Sequence, residues 1–393
     1  MRIQDGTLKN IVRFSNHLKS IRTKKGLSQV ELASRADVTR QAVSAIESNL
    51  YLPTTAVALH LASVLACRVE DLFSLVPSEE FIEGTLVGRL PQVQTPPQSI
   101  RVKISIVGKR TVVRPVTDLG EQFSFAVPAD GYMNETYIKP SRTTVRVKLS
   151  RDREAIQQEI SVAGCDPAIF LVGEHLRRHK DQTTVIGWAM GSMAALQALQ
   201  RGEVHVAGMH LFDPVTGESN LPFLKRSLKG SGYDVVTFAT WEEGFLVRRG
   251  NPKSIRTAAD LAEATVKLIN REEGSGARLL LDQRLRASGV EPTQVQGYDR
   301  SVSSHFEVAR AITEHQADVG IGIRSAAQFF ALDFIPLQSA RYDLVVPKPY
   351  LQSHPTLAHL FEAIVSKPFR NEIEALGGYD TSQTGKVHAL RVA

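Results

Sequence analysis

Three places in the sequence put small, hydroxyl-bearing or acidic residues where a strand-like apolar run gives way to a helix-like one. They are Cys165-Asp166 ahead of PAIFLV, Gly191-Ser192 ahead of MAALQAL, and Gly274-Ser275-Gly276 ahead of ARLLLD. The first backbone N–H groups of a helix lack intrahelical partners, and the helix dipole there favours negative charge. Several such starts facing one cleft would cage a small anion. Each start taken singly is equally well explained as a tight turn with a serine cap. A second candidate chemistry lies in SQVELASRADVTRQAVSAIE, residues 28–47, which reads as two short helices meeting at a corner. Thr39, Arg40, Gln41 and Ser44 fall in the first turns of the second of these. Arginine offers the paired donors that fit guanine, and glutamine the donor–acceptor pair that fits adenine. Gln29, Lys24, Lys25 and Arg22 flank them with groups suited to phosphate oxygens.

Other chemistries find less support. His175 and His179 stand one helical turn apart and His205 and His210 flank VAGM, but neither pair has a third ligand of evident geometry, so no metal site is expected. GSGAR lacks the Lys-Ser/Thr ending of a phosphate-binding loop, Ser192 is not in a GxSxG elbow, and no Cys/His/Asp order suggests a nucleophile. The expectation is a binding protein without cofactor rather than an enzyme. The alternatives are an enzyme on a two-lobed α/β fold, or a ligand-binding or storage protein with non-specific DNA binding. Cys67 and Cys165 are far apart and make no CxxC pattern, which points to reduced thiols in the cytoplasm. No apolar run reaches the roughly 18 residues of a membrane span, and MRIQDGTLKNIVRF has no export-signal pattern, so no membrane partner is expected.

The elements that must position these residues divide the 393-residue chain into three. In residues 1–78, Ile11, Phe14, Leu18 and Ile21 predict a helix ending at Gly26, Ser28 and Thr39 cap the next two, and Val57, Leu61, Val64 and Leu65 predict a fourth, with a short fifth in RVEDLFSL. Residues 79–150 alternate: Ile100, Val102, Ile104 and Ile106 fall on one side of a strand and Arg101, Lys103 and Ser105 on the other, after a proline-rich connector PQVQTPPQS and before a turn PADGYMN. This basic β-rich module reads best as a spacer. Residues 151–393 interleave apolar runs with amphipathic helices, an α/β pattern with crossovers between parallel strands. The net charge of +6 is concentrated early: ten Lys/Arg against six Asp/Glu over residues 1–78, eleven against four over 85–151, then 26 against 28 over 152–393. That asymmetry suits a polyanion meeting the first 150 residues.

Residues 10–75 resemble the lambda-repressor-like (XRE-type) helix-turn-helix family, through Gln29, Leu32, Ala33, Val38, Val43, Ser44, Ile46, Glu47 and Pro53. Asp37 and Asn49 stand where that pattern carries glycine, and both tolerate a left-handed backbone. About residues 145–390 resemble the type 2 periplasmic-binding-protein fold, and within it the molybdate-binding-like domains. The stretches that carry this are AGCDPA, GSMAALQALQRGEVHVAGMHLFDPVTGESN, GFLVRRGNP, NREEGSGARLLLD, ADVGIGIRSAA, LDFIPL, RYDLVVP and ALGGYD. Ala277 departs from the threonine usual after GSG.

The resemblance implies a multidomain chain: an all-α DNA-binding domain, a small β-rich segment and a two-lobed α/β sensor. The chain should cross between lobes near residues 237–240 and return near 325–342. The resemblance places Asp166, Ser192, Ser275, Gly276, Arg278, Arg324 and Tyr342 in the cleft, with a molybdate- or tungstate-like oxyanion as ligand. It further implies a homodimer on double-stranded operator DNA, with half-sites about 34 Å apart.

Overall fold

The computed structural model describes residues 13–76, 80–88, 90, 99–133, 143–178, 183–228 and 232–390, and the chain divides into two compact units, Met1–Glu80 and Phe81–Ala393. The N-terminal unit holds helices Leu18–Lys24, Gln29–Arg35, Arg40–Glu47, Thr55–Leu65 and Val69–Leu72. Their apolar stripes, Leu18, Leu32, Ala33, Val43, Ile46, Leu61 and Leu65 among them, make one small core. Ser28 accepts from Glu31 N–H while the Glu31 carboxylate accepts from Ser28 N–H, a capping box that fixes where the second helix begins. Asp37 and Asn49 take the left-handed backbone at φ 53° and 57°. The first predicted helix is shorter than its periodicity suggested. Phe14 lies in a strand, Arg13–Asn16, paired antiparallel with Phe73–Val76, and Ile11 lies outside the described residues. Asn16 ends the strand by accepting from Leu18 N–H. The predicted fifth helix likewise keeps only Val69–Leu72 before turning into that second strand.

In the second unit, strands Phe81–Leu86, Ile100–Val107, Arg110–Pro115, Gly131–Met133 and Thr144–Leu149 close into a five-stranded barrel around Val102, Ile104, Val113 and Val147. PADGYMN therefore runs into a strand, while PQVQTPPQ lies outside the described residues. Lys103 and Ser105, on the polar side of strand Ile100–Val107, are both 3% exposed. The outer side of their strand is covered by the chain that leads on from the barrel. Lys103 Nζ donates to Asp130 (2.7 Å) and Glu159 (2.8 Å), and Arg151 donates to the same two carboxylates. One buried and one half-buried cation balance two buried anions, the condition under which burial of charge is tolerated. Farther along, His205 bridges the barrel and the α/β part: its Nδ1 accepts from Ser161 N–H and its Nε2–H donates to Ile106 C=O, both at 3.0 Å. The barrel is packed against the α/β part rather than strung before it.

The α/β part is built on one eight-stranded mixed sheet. Val206–Met209, Ile160–Gly164 and Val185–Ala189 run parallel, with helices Ile169–Arg177 and Ser192–Gln200 as crossovers. Two 15-residue strands, Tyr233–Val247 and Asp333–Pro347, pair antiparallel along their length, so the sheet is not purely parallel as the sequence pattern suggested. The 85 residues or so between these strands form a second lobe, part of it around a core of Phe245, Leu261, Leu280 and Ile321, while Val308 and Ile312 of helix His305–Thr313 join the cluster that holds Val162 and Cys165. The long strands are thus the two crossings between lobes.

Candidate functional sites: a DNA-reading helix and an interlobe cluster

In the N-terminal unit the third helix, Arg40–Glu47, starts at Thr39, whose hydroxyl accepts from Ala42 N–H at 3.1 Å. Val43 and Ile46 anchor its inner face, which leaves Arg40 and Gln41 exposed at its N-terminal end and Ser44 half-buried one turn on. This is the end that a helix-turn-helix unit offers to base edges. Lys24 and Lys25 are exposed at the end of the first helix. Arg22 and Gln29 are committed inside the unit. Arg22 Nε and Nη2 donate to Glu47 (2.6 and 3.2 Å), its Nη1 to Leu27 C=O, and Gln29 Nε2 donates to Glu47 at 2.8 Å. Burial works to raise the Glu47 carboxyl, but the Arg22 and Gln29 hydrogen bonds outweigh it and hold the group below its ordinary value. Arg22 is therefore a brace tying the first and third helices, corrected from its expected place as a phosphate contact.

In the second unit the parallel strands end, at their C-terminal edge, on Gly164 and Met209, and the next residues are Cys165-Asp166 and His210. Register shifts at Thr237/Ala239 and Glu243/Gly244 bracket the stretch of long strand that carries Trp241 and Glu243, two residues apart and so on one face. Tyr342, on the partner strand, stacks on Trp241 with ring centroids 4.7 Å apart. His305 is the first residue of helix His305–Thr313, and Arg271 lies in a short strand of the second lobe. Cys165, Asp166, Ser192, His210, Trp241, Glu243, Arg271, Ser275, His305 and Tyr342 are each no more than 3% exposed.

His210 is the hub. Its ring lies 5.2 Å from Trp241, 5.5 Å from His305 and 6.3 Å from Tyr342, and its Nδ1 is 2.9 Å from Glu243 Oε1, an ion contact without hydrogen-bond alignment. Asn220 clamps the backbone on either side, accepting from Leu211 N–H and donating to Met209 C=O. Burial alone would make the His210 ring less basic, but Cys165 and Glu243 beside it raise it to about 10. His305, buried near Arg271 and His210, is held far below the ordinary histidine value. Asp166 accepts from Ala168 N–H and Tyr379 O–H at one oxygen, and burial raises it to about 6.

The expected cleft residues divide. Asp166, Ser192, Ser275, Gly276 and Tyr342 do converge: the starts of helices Ser192–Gln200 and Gly276–Ala287 touch through Met193 N–H to Gly274 C=O, and a Cβ on Gly276 would overlap His210. Ser192 Oγ accepts from His210 N–H. Ser275 Oγ is spent on its own turn, donating to Glu272 C=O and accepting from Arg278 N–H. Two expected residues are corrected. Arg278 lies over the Tyr298 ring and donates to Asp282 and to Arg271 C=O, and Arg324 pairs with Glu242 over Phe334, so both guanidinium groups are already engaged. The cation at the cluster is Arg271, which sequence reasoning passed over with Trp241, Glu243, His305 and Tyr379. The available signal was that His210 follows VAGM as Cys165 follows ISVAG, two adjacent strand ends.

Eight buried atoms here have no hydrogen-bond partner: Asp166 Oδ2, both ring nitrogens of His210 and of His305, Trp241 Nε1, Glu243 Oε1 and Arg271 Nη1. Two of these, His210 Nδ1 and Glu243 Oε1, face each other at 2.9 Å; a buried polar atom left without any partner costs about 1–3 kcal/mol.

A helix-turn-helix family model matches residues 18–72, and the model of the PBP superfamily domain matches residues 173–365. The Bacillus subtilis uncharacterized protein YvgK is 36% identical over 228 residues, 58% of this chain and 73% of its own. The chain belongs to the helix-turn-helix regulators that carry a PBP-superfamily domain. The regulator is also similar at its start to the Bacillus subtilis uncharacterized HTH-type transcriptional regulator YgzD, 38% identical over 60 residues, 15% of this chain and 91% of that one. Among solved structures, the tungstate ABC transporter protein of Geobacter sulfurreducens covers 56% of this chain and 99% of its own, at 14% identity and a TM-score of 0.42. Among the described residues of the regulator, no helix is long and apolar enough to cross a membrane.

Proposed function

We propose that the regulator is a ligand-responsive switch, reading DNA as a homodimer through Thr39, Arg40, Gln41 and Ser44 and holding a small oxyanion of the molybdate or tungstate kind at the interlobe cluster. The cluster of unpartnered buried atoms carries the reading. Trp241 Nε1 and Arg271 Nη1 are donors with no aligned partner, and helices Ser192–Gln200 and Gly276–Ala287 start beside each other, joined by Met193 N–H to Gly274 C=O. Closing the lobes on the ion would favour one arrangement of the sensor, and only that differential affinity can shift the DNA-binding population. The dimer reading is supported by Leu50, Tyr51, Leu52 and Leu59, exposed together beside the third and fourth helices.

Calorimetry of the full chain against molybdate, tungstate, sulfate and phosphate tests the ligand. Tryptophan fluorescence gives a local readout: of the two tryptophans, Trp241 is in the cluster, whereas Trp188 donates to Ser161 Oγ elsewhere in the lobe. In a Trp188→Phe variant, molybdate or tungstate should change the remaining emission at one equivalent per chain. Unchanged emission and zero heat with all four anions would refute the oxyanion.

A further inference from the structure

We propose that Cys165, His210 and His305 form a binding site for a thiolate- and imidazole-preferring divalent metal ion, Zn2+ or a close relative, set across the junction of the two lobes. One ligand atom from each residue lies within 4.8 Å of the others, and all three side chains are buried. Neither ring nitrogen of His305, nor Nε2 of His210, has an aligned hydrogen-bond partner, while His210 Nδ1 faces Glu243 Oε1 at 2.9 Å. A histidine buried for packing alone finds partners for its ring nitrogens, as His205 does with the Ser161 N–H on one side and the Ile106 C=O on the other.

Bond lengths of about 2.3 Å to sulfur and 2.0–2.1 Å to nitrogen set the ligand atoms about 3.5 Å apart, so binding needs a contraction of about 1 Å. Glu243 sits where an outer carboxylate belongs. With Oε1 2.9 Å from His210 Nδ1, it would hold the ring proton there and leave Nε2 for the metal. On coordination the Cys165 thiol and the His210 imidazolium each give a proton to solvent, so that sulfur binds as thiolate and His210 through a deprotonated Nε2. One thiolate and two imidazoles select zinc, cobalt or nickel over magnesium or calcium, and leave a fourth position for water or an anion.

The placement gives the ion a mechanical consequence. Cys165 and His210 follow adjacent parallel strands ahead of the long strands, whereas His305 belongs to the segment inserted between them. An ion held by all three ties the lobes shut. The proposal goes beyond the oxyanion reading and draws on other atoms of the same cluster, needing neither helix-start amides nor Arg271.

The test is a Co2+ titration of the full chain, freed of metal by chelator and kept in oxyanion-free buffer. The expected result is a near-ultraviolet thiolate-to-cobalt charge-transfer band saturating at one equivalent and abolished by Zn2+. Cys165→Ser and His305→Gln should remove the band, and Cys67→Ser, in the N-terminal unit, should keep it. Glu243→Gln should keep the band and weaken affinity about 10- to 100-fold. A folded Cys165→Ser chain that retains the band, or a wild-type chain that never shows it, overturns the proposal. The wild-type titration decides alone if the variants do not fold. Calorimetry with molybdate on the same chelator-treated chain reports on the oxyanion separately.

Discussion

At the scale of single residues, burial sets the chemistry. His205 and His210 are five positions apart, yet the first is held down to about 3 and the second raised to about 10. The difference lies in what surrounds each ring. Burial dominates at His205, with His354 adding repulsion, while an acid and a thiol stand beside His210. The neutral His205 ring is required because Nδ1 must accept from Ser161 N–H. A histidine whose folded pKa lies below its unfolded value stabilises the fold fully above about pH 6.5 and loses that contribution as pH falls toward 3. Stability should therefore drop by about 1.4 kcal/mol per pH unit below about 6.5 on account of this one group. Urea unfolding from pH 7.5 to 4.5 measures it: His205→Gln should be less stable at neutral pH but show a correspondingly shallower slope. Equal slopes would mean that the ring is not the acid-labile bond between barrel and lobe.

At the scale of elements, caps and strand ends settle which residues remain available for ligand. Ser275 and Ser192 looked equivalent in sequence, each a serine at a helix start after a glycine. Ser275 is the cap residue itself, with its hydroxyl used by Glu272 and Arg278, whereas Ser192 is the first helical residue and holds the His210 backbone. Ser275→Ala should therefore lower stability by about 1 kcal/mol, the usual loss for a helix cap. Ser192→Ala should instead release His210, weakening ligand or metal binding more than it weakens the fold. Thermal melts with and without ligand distinguish the two. Equal effects of both substitutions on affinity would restore Ser275 to the binding surface.

At the scale of the whole molecule, the proposal that the regulator reads DNA as a homodimer rests on one recognition helix covering only half of a two-fold site. Arg40→Ala with Gln41→Ala should abolish discrimination between operator and random DNA. Lys24→Ala with Lys25→Ala should weaken binding to both equally and reduce its salt dependence, as expected of phosphate contacts. Gel-shift titrations at two salt concentrations separate these outcomes, and retained discrimination in the first variant would remove the third helix from its proposed role.

The sequence by itself determined the elements whose signals are local. Ser28 with Glu31, Thr39, Asp37 and Asn49 specify caps and turns through their own side chains and backbone preferences, and the periodic apolar residues placed the helices between them. Alternation marked strand Ile100–Val107 for the same reason, whereas PADGYMN, which runs into strand Gly131–Met133, reads as a turn. What tertiary structure decided is everything that depends on which surfaces meet. Phe14 became a strand residue because the end of its own domain pairs with it, and Lys103 went inside because Asp130 and Glu159 arrive from elsewhere to neutralise it. The cluster of Cys165, His210, Glu243 and His305 draws on 140 residues of chain. No local spacing encodes that meeting, because it is produced by adjacent strand ends in one lobe and a helix start in the other.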